Sequence, residues 1–265
     1  MQEKIVGTVM PVLELILEPG EKIVAEAGEL SWISSSIDLH TSTQLAGARG
    51  FFGVLKRAMG GGGLFMTEYR ATRGTGLVAF ATKVPGHILP VDVQPDGTYL
   101  IHRHGFLAGT PDVELTVGFQ RSLGAGIFGG EGFVLQKLGG TGRAWIEIDG
   151  EVVSYDLRPG ENLRIHPGHV AMFQDTVTFD ITTVPGIRNV LFGGDGLFLA
   201  SLTGPGRVWL QSMPLSNLAH ALAHYLPSGG ESSSSGSGGN LAAGAAAGVL
   251  GAVLGGLAGD RANDS

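Results

Sequence analysis

Not one cysteine occurs in the 265 residues, which removes disulfides, thiolate zinc sites and thiol chemistry at once. Charge is scarce as well. Only 15% of the residues are Asp, Glu, Lys or Arg, and the formal balance of −7 offers nucleic acid or an anionic membrane no whole-protein attraction, so such binding would need a local basic patch. The opening MQEKIVGTVMP has polar and acidic residues where a secretory leader would have an apolar run, and a cytoplasmic body is the expectation. Neither a Gly-x-Ser-x-Gly elbow nor a Ser-x-x-Lys pair is present, which takes away the usual nucleophile signatures. What is abundant is glycine, 45 in all, falling between alternating apolar runs without a three-residue period. That pattern excludes collagen and predicts the turns of a many-stranded β protein.

The chain repeats itself. One element occurs as 19-PGEKIVAEAGELSWI-33, 96-DGTYLIHRHGFLAGT-110 and 159-PGENLRIHPGHVAMF-173, each with a turn glycine (Gly20, Gly97, Gly160) followed eight residues later by another (Gly28, Gly105, Gly168). A second element follows each first one: 62-GGLFMTEYRATRGTGLVAF-80, 130-GEGFVLQKLGGTGRAWI-146 and 194-GDGLFLASLTGPGRVWL-210, read as strand, Gly-x-Gly turn, strand. Tyr69, Leu138 and Leu202 correspond, as do Arg143 with Arg207 and Trp145 with Trp209. Each Gly-x-Gly opens a strand rather than a helix, so it is read as a tight hairpin turn and not a phosphate loop. The strand in 10-MPVLELILEPG-20 is expected to complete the last repeat, closing the sheets and removing exposed edges. The predicted fold is therefore all-β, with residues 1–212 forming three internal β repeats in a closed pseudo-threefold barrel or prism. A solenoid, which would not need its ends to meet, is disfavoured.

Several motifs together resemble one family: the PGE-x-x-x-A-E-x-G start, FLA at 106–108, the GEGF-x-LQKL-GG-G run from Gly130, HPGHV-A-F at 166–173 and the final G-x-GL-x-x-x-L-x-GPG. They look like the altered-inheritance-of-mitochondria protein twenty-four family, and the resemblance spans about residues 5–212. It implies a fold like that of the tryptophan RNA-binding attenuation protein, without importing that protein's activity, and it links mitochondrial relatives to inner-membrane organisation.

Candidate chemistry is sparse. His102 and His104 form an HxH pair that, on one strand, would turn both imidazoles to one face as a cupin metal site requires, with His166 and His169 as further donors. The acidic ligand a cupin needs soon after is missing, and repeat alignment puts the histidines on mixed faces; no metal or other cofactor is expected. Glu114, Glu131, Glu147, Asp149 and Asp195 are read as solvated charge on turns and outward strand positions. RNA binding would want Lys or Arg interleaved with exposed aromatics, whereas there are only 17 basic residues and the aromatics fall at core positions.

The sharper signal lies in three glycine-rich segments with large apolar residues at the same place in each repeat: 50-GFFGVLKRAMGGGG-63, 124-GAGIFGGEG-132 and 190-VLFGGDG-196. Phe51, Phe52, Leu55, Ile127, Phe128, Leu191 and Phe192 are expected to form an interaction patch or to plug the end of the body. Lys56 and Arg57, with Arg49, add positive charge suited to a membrane surface or an acidic partner. Beyond residue 212 a short helix over 213–227, begun by Ser216 and stopped at Pro227, leads through a Gly/Ser linker (228–240) to an apolar tail (241–265). Gly244, Gly248, Gly251, Gly255 and Gly259 lie along one face of a helical tail, a small-residue ridge that allows close packing in lipid. The reading these features favour is a non-enzymatic scaffold that binds itself and membrane lipid or a membrane protein, peripheral to or anchored in the inner membrane by the tail. A cupin-like metal or small-molecule enzyme and an RNA-binding module are the alternatives. No nucleic acid or small-molecule substrate is expected.

Overall fold

The computed structural model describes residues 1–42, 66–121, 133–183, 198–223 and Tyr225. A first strand, β1 (Gln2–Val6), precedes three segments of six strands each. The first segment holds β2 (Val12–Leu17), β3 (Lys22–Glu26), β4 (Trp32–Ile33), β5 (Ile37–Ser42), β6 (Met66–Ala71) and β7 (Gly76–Ala81). The second holds β8 (Gly86–Val93), β9 (Tyr99–His102), β10 (Phe106–Gly109), β11 (Val113–Arg121), β12 (Phe133–Gly140) and β13 (Gly142–Asp149). The third holds β14 (Val152–Leu157), β15 (Asn162–Ile165), β16 (Val170–Gln174), β17 (Thr178–Thr183), β18 (Phe198–Thr203) and β19 (Gly206–Gln211), and is followed by helix α1 (Leu215–Ala223).

The same antiparallel pairing scheme recurs in each segment. The first strand pairs with the sixth (β2–β7, β8–β13, β14–β19), the third also pairs with the sixth, and the fifth pairs with the second and the fourth. Segments join laterally where β3 meets β10 and β9 meets β16. The result is four sheets: β1-β2-β7-β4, β5-β6-β3-β10-β13-β8, β11-β12-β9-β16-β19-β14 and β15-β18-β17.

Three expectations change here. The strand from Val12 to Leu17 belongs to the first segment, not the last, because its partner is β7. The Gly-x-Gly turns are not hairpin turns: β6 and β7 lie in different sheets, as do β12 and β13, and β18 and β19. Each is a corner at which the chain leaves one layer for the next, and the backbone there is left-handed at Gly74 (φ 114°), Gly142 (φ 126°) and Gly206 (φ 143°), a region that side chains with a Cβ avoid. Finally, none of the four sheets closes into a barrel. The join that would continue the series, β15 with β4, is absent among the described residues; β4 has two residues to offer, and the sheets that carry these strands share no core.

Instead the cores lie in series. Leu13, Leu15, Val78 and Phe80 of the first sheet pack on Ile23, Tyr69, Leu107 and Trp145 of the second. The opposite face of the second sheet, with Val91, Ala144 and Ile146, packs on Ile101, Leu115 and Met172 of the third. The third sheet's other face, with Leu135, Phe173 and Val208, packs on Ile181, Ala200 and Leu202 of the fourth, where Phe119, Phe133, Phe173 and Phe179 form a ring cluster with centroids 4.9–6.4 Å apart. Tyr69, Leu138 and Leu202, aligned in the sequence, are buried one in each core. Sheets apolar on both faces must be covered on both sides, and stacking does this.

Candidate functional site

Strand β13 alternates between two buried faces. Ala144, Ile146 and Ile148 point into the second core, so Trp145 and its neighbours two and four residues on, Glu147 and Asp149, take the opposite face. Trp145 is fully buried in the first core, and the two carboxylates follow it inward at 3% and 7% exposure. The expectation that Glu147 and Asp149 are solvated is thereby overturned. Glu114 is exposed as expected, and Glu131 and Asp195 lie outside the described residues.

Around Glu147 the structure gathers a polar cluster at the join of the first two segments. The end of β3 supplies Glu26, the turn after it supplies buried Glu29, and the loop after β7 supplies Lys83. The Lys83 ammonium donates to the Glu29 carboxylate, and the Lys83 backbone N–H donates to Glu147 Oε1 at 2.7 Å. Gln136, buried on β12, donates through Nε2 to Glu26 at 3.2 Å, while its Oε1 and the Thr82 hydroxyl are buried without a hydrogen-bond partner. Asp149 Oδ2 accepts the Leu215 N–H at 3.2 Å, so the first amide of α1 is capped from β13, and the helix starts one residue before the expected Ser216.

Burial shapes the acid–base behaviour of this cluster. It raises Glu26 to about 7, against a lowering hydrogen bond from Gln136. It raises Glu147 to about 7 as well, with the Lys83 contacts working the other way. Burial raises Asp149 and depresses His102. For Lys83 burial opposes the charge, but the hydrogen bond to Glu29 and the carboxylates of Glu29, Glu147 and Glu26 outweigh it and hold the ammonium above its ordinary range. Such a cluster can store and release protons near neutrality.

The two histidines of the HxH pair do not share a strand. β9 ends at His102, and His104 stands in the following turn. His102 folds back to donate through Nε2 to the Glu147 carbonyl at 2.9 Å, and Gly105 makes room for it, since a Cβ there would lie 2.8 Å from the imidazole. His104 is the more exposed; desolvation and then the Arg103 charge lower it to about 4. In the third segment His169 Nδ1 meets the Gln211 carbonyl at 2.7 Å, with its ring 5.9 Å from that of His166. Among the described residues no three His, Asp or Glu side chains are grouped to hold a metal. The aligned arginines are both engaged: Arg143 binds Asp92 and the Glu3 carboxylate of β1, which also accepts from Trp145 Nε1, and Arg207 binds Asp156 with its guanidinium 5.9 Å from the Trp209 ring centroid.

The apolar set Phe51, Phe52, Leu55, Lys56, Arg57, Ile127, Phe128, Leu191 and Phe192, the Gly/Ser linker and the tail glycines Gly244 to Gly259 lie outside the described residues. No helix among the described residues is long and apolar enough to cross a membrane. Sequence reasoning missed the buried acid cluster, although a signal was available: Glu147 and Asp149 share strand parity with a tryptophan.

Fold and site together define an all-β protein of three like-paired segments with a cluster of buried and half-buried acids, closed by the exposed Lys83, at the join of the first two. The family model described as mitochondrial biogenesis AIM24 matches residues 4–213, and the chain belongs to that family. It is 25% identical over 226 residues to an uncharacterized protein of Streptococcus pyogenes serotype M6, covering 82% of this chain and 88% of that one. A Streptococcus pyogenes protein solved by X-ray crystallography shares the fold, with a TM-score of 0.65 at 22% identity over 85% of this chain and 99% of that chain.

Proposed function

We propose that this chain is a non-enzymatic repeat scaffold that self-associates and docks on a membrane surface through the three apolar segments and the C-terminal tail. The observation that carries the reading is the equivalence of three hairpins. β5–β6, β11–β12 and β17–β18 occupy the same position in the pairing scheme, and the segments that hold Phe51 and Phe52, Ile127 and Phe128, and Leu191 and Phe192 run between their strands. Three apolar insertions at one position of a repeat are what a shared docking surface needs, and terminal or loop insertions on one face are the usual binding equipment of repeat proteins. Arg49, Lys56 and Arg57 in the first segment suit anionic headgroups.

Co-sedimentation with phosphatidylglycerol–phosphatidylcholine vesicles tests this. Full-length protein is expected to pellet with the vesicles, and a Phe51→Ser/Phe52→Ser variant and a chain ending at Pro227 each to bind at least several-fold less. Failure of the full-length protein to bind at any lipid concentration sinks the membrane reading and leaves protein partners.

A further inference from the structure

Strands β2, β8 and β14 are equivalent, each paired on one side with the last strand of its own segment. Their registers align Glu14 opposite Ala79, Pro90 opposite Trp145 and Ser154 opposite Trp209. What differs is the other side. The outer side of β2 is covered by β1. β8 is an edge strand carrying Pro90, which has no N–H to offer an incoming strand. Among the described residues β14 has neither protection. It is the edge of the third sheet, its sequence VVSYDL contains no proline or lysine, and Val153 and Tyr155 are 45% and 46% exposed, whereas the equivalent Leu13 and Leu15 of β2 are fully buried.

We propose that β14 is the docking edge for a second copy of this chain, the two β14 strands pairing antiparallel about a twofold axis so that two six-stranded sheets become one. The inference rests on the self-association in the reading above and assigns its surface. A twofold perpendicular to the sheet and centred on Ser154 sets Val153 opposite Tyr155 of the partner subunit, an aromatic with a β-branched residue, twice over. The charges agree with the antiparallel sense. Glu151 precedes the strand and Arg158 follows it, so antiparallel pairing brings acidic end beside basic end, while a parallel pair would set like charges together. Asp156, the acid within the strand, is already matched by Arg207 at 2.6 Å.

The absence of native cysteine makes a site-directed test direct. In full-length protein, Ser154→Cys treated with a short bis-maleimide should yield covalent dimer as the major product. Thr178→Cys, on the exposed edge strand β17 of the fourth sheet, should give at least tenfold less. Adding Val153→Lys to Ser154→Cys should suppress the cross-link, and Ser154→Pro, which copies the residue β8 carries at this register, should lower the mass measured by light scattering with unchanged circular dichroism. An oligomer in which the Ser154→Cys variant does not cross-link, or cross-links as well with Val153→Lys present, overturns the β14 edge and leaves self-association standing. A wild-type monomer at high concentration overturns both. Should Ser154→Pro unfold, the cysteine and lysine variants still decide the matter.

Discussion

At the scale of single residues the buried carboxyls are the feature with the largest consequence. A rise of Glu26 from its ordinary 4.5 to about 7 means that the neutral acid favours the folded state. That contribution is full below about pH 4.5 and is lost as pH rises through about 7, leaving the folded protein about 3 kcal/mol less stable than if the group could not ionise, with the opposing Gln136 hydrogen bond and Lys83 charge already included in the shift. Glu26→Gln, which keeps an oxygen for the Gln136 amide, is therefore expected to equal wild type near pH 4 and to exceed it by about 1–3 kcal/mol at pH 8. Urea unfolding at the two pH values checks it; an equal gain at both would show that packing, not ionisation, is responsible. The cluster was only half legible in the sequence. Alternation in 142-GRAWIEID-149 puts Glu147 and Asp149 beside Trp145, but only the covering layer decides that this face is closed to water.

At the scale of elements the glycine corners do different work from what their hairpin-like sequence suggests. Gly160 has a left-handed φ of 79° with nothing within 4 Å of the place a Cβ would take, so only the backbone preference opposes a side chain there. Gly206, at the corner between the fourth sheet and the third, combines φ 143° with a Cβ position 2.5 Å from the Thr176 hydroxyl and 2.7 Å from Val177. Gly160→Ala is expected to cost about 1 kcal/mol and Gly206→Ala at least about 3 kcal/mol, the second through strain and overpacking together. Chemical denaturation of the two variants measures the difference, and equal costs would mean that the corner relaxes freely. The eight-residue glycine spacing and the strand–glycine–strand pattern marked these positions correctly as turns. Which sheet each flanking strand enters is a matter of non-local pairing, and it could not be read from local pattern.

At the scale of the whole molecule, three cores in series leave the second and third sheets covered on both faces and the first and fourth on one among the described residues. Repeat stacks of this kind open from their ends. Amide hydrogen exchange should be slowest in β12 and β13, at the centre of the stack, and faster by at least tenfold in β1 and β17. Uniform protection across all four sheets would show that the stack unfolds as one unit. Among the described residues the first and last sheets share no strand pairing and no core, and each packs inward on its neighbour in the series.

The amino-acid sequence by itself determined that this is an all-β protein of three like segments, because alternation, turn glycines and their spacing are local properties of the chain. It determined the family membership through motifs spread over most of its length, matched over residues 4–213. Tertiary structure alone decided the rest: that the Gly-x-Gly turns pass the chain between layers, that Val12–Leu17 closes the first segment rather than the last, that Glu147 is buried while Tyr155 is not, and that β14, among the described residues, is a sheet edge with neither the cover β2 has nor the proline β8 carries. The physical reason is that strand partners and covering layers are chosen by residues tens to hundreds of positions apart, and burial follows from that choice.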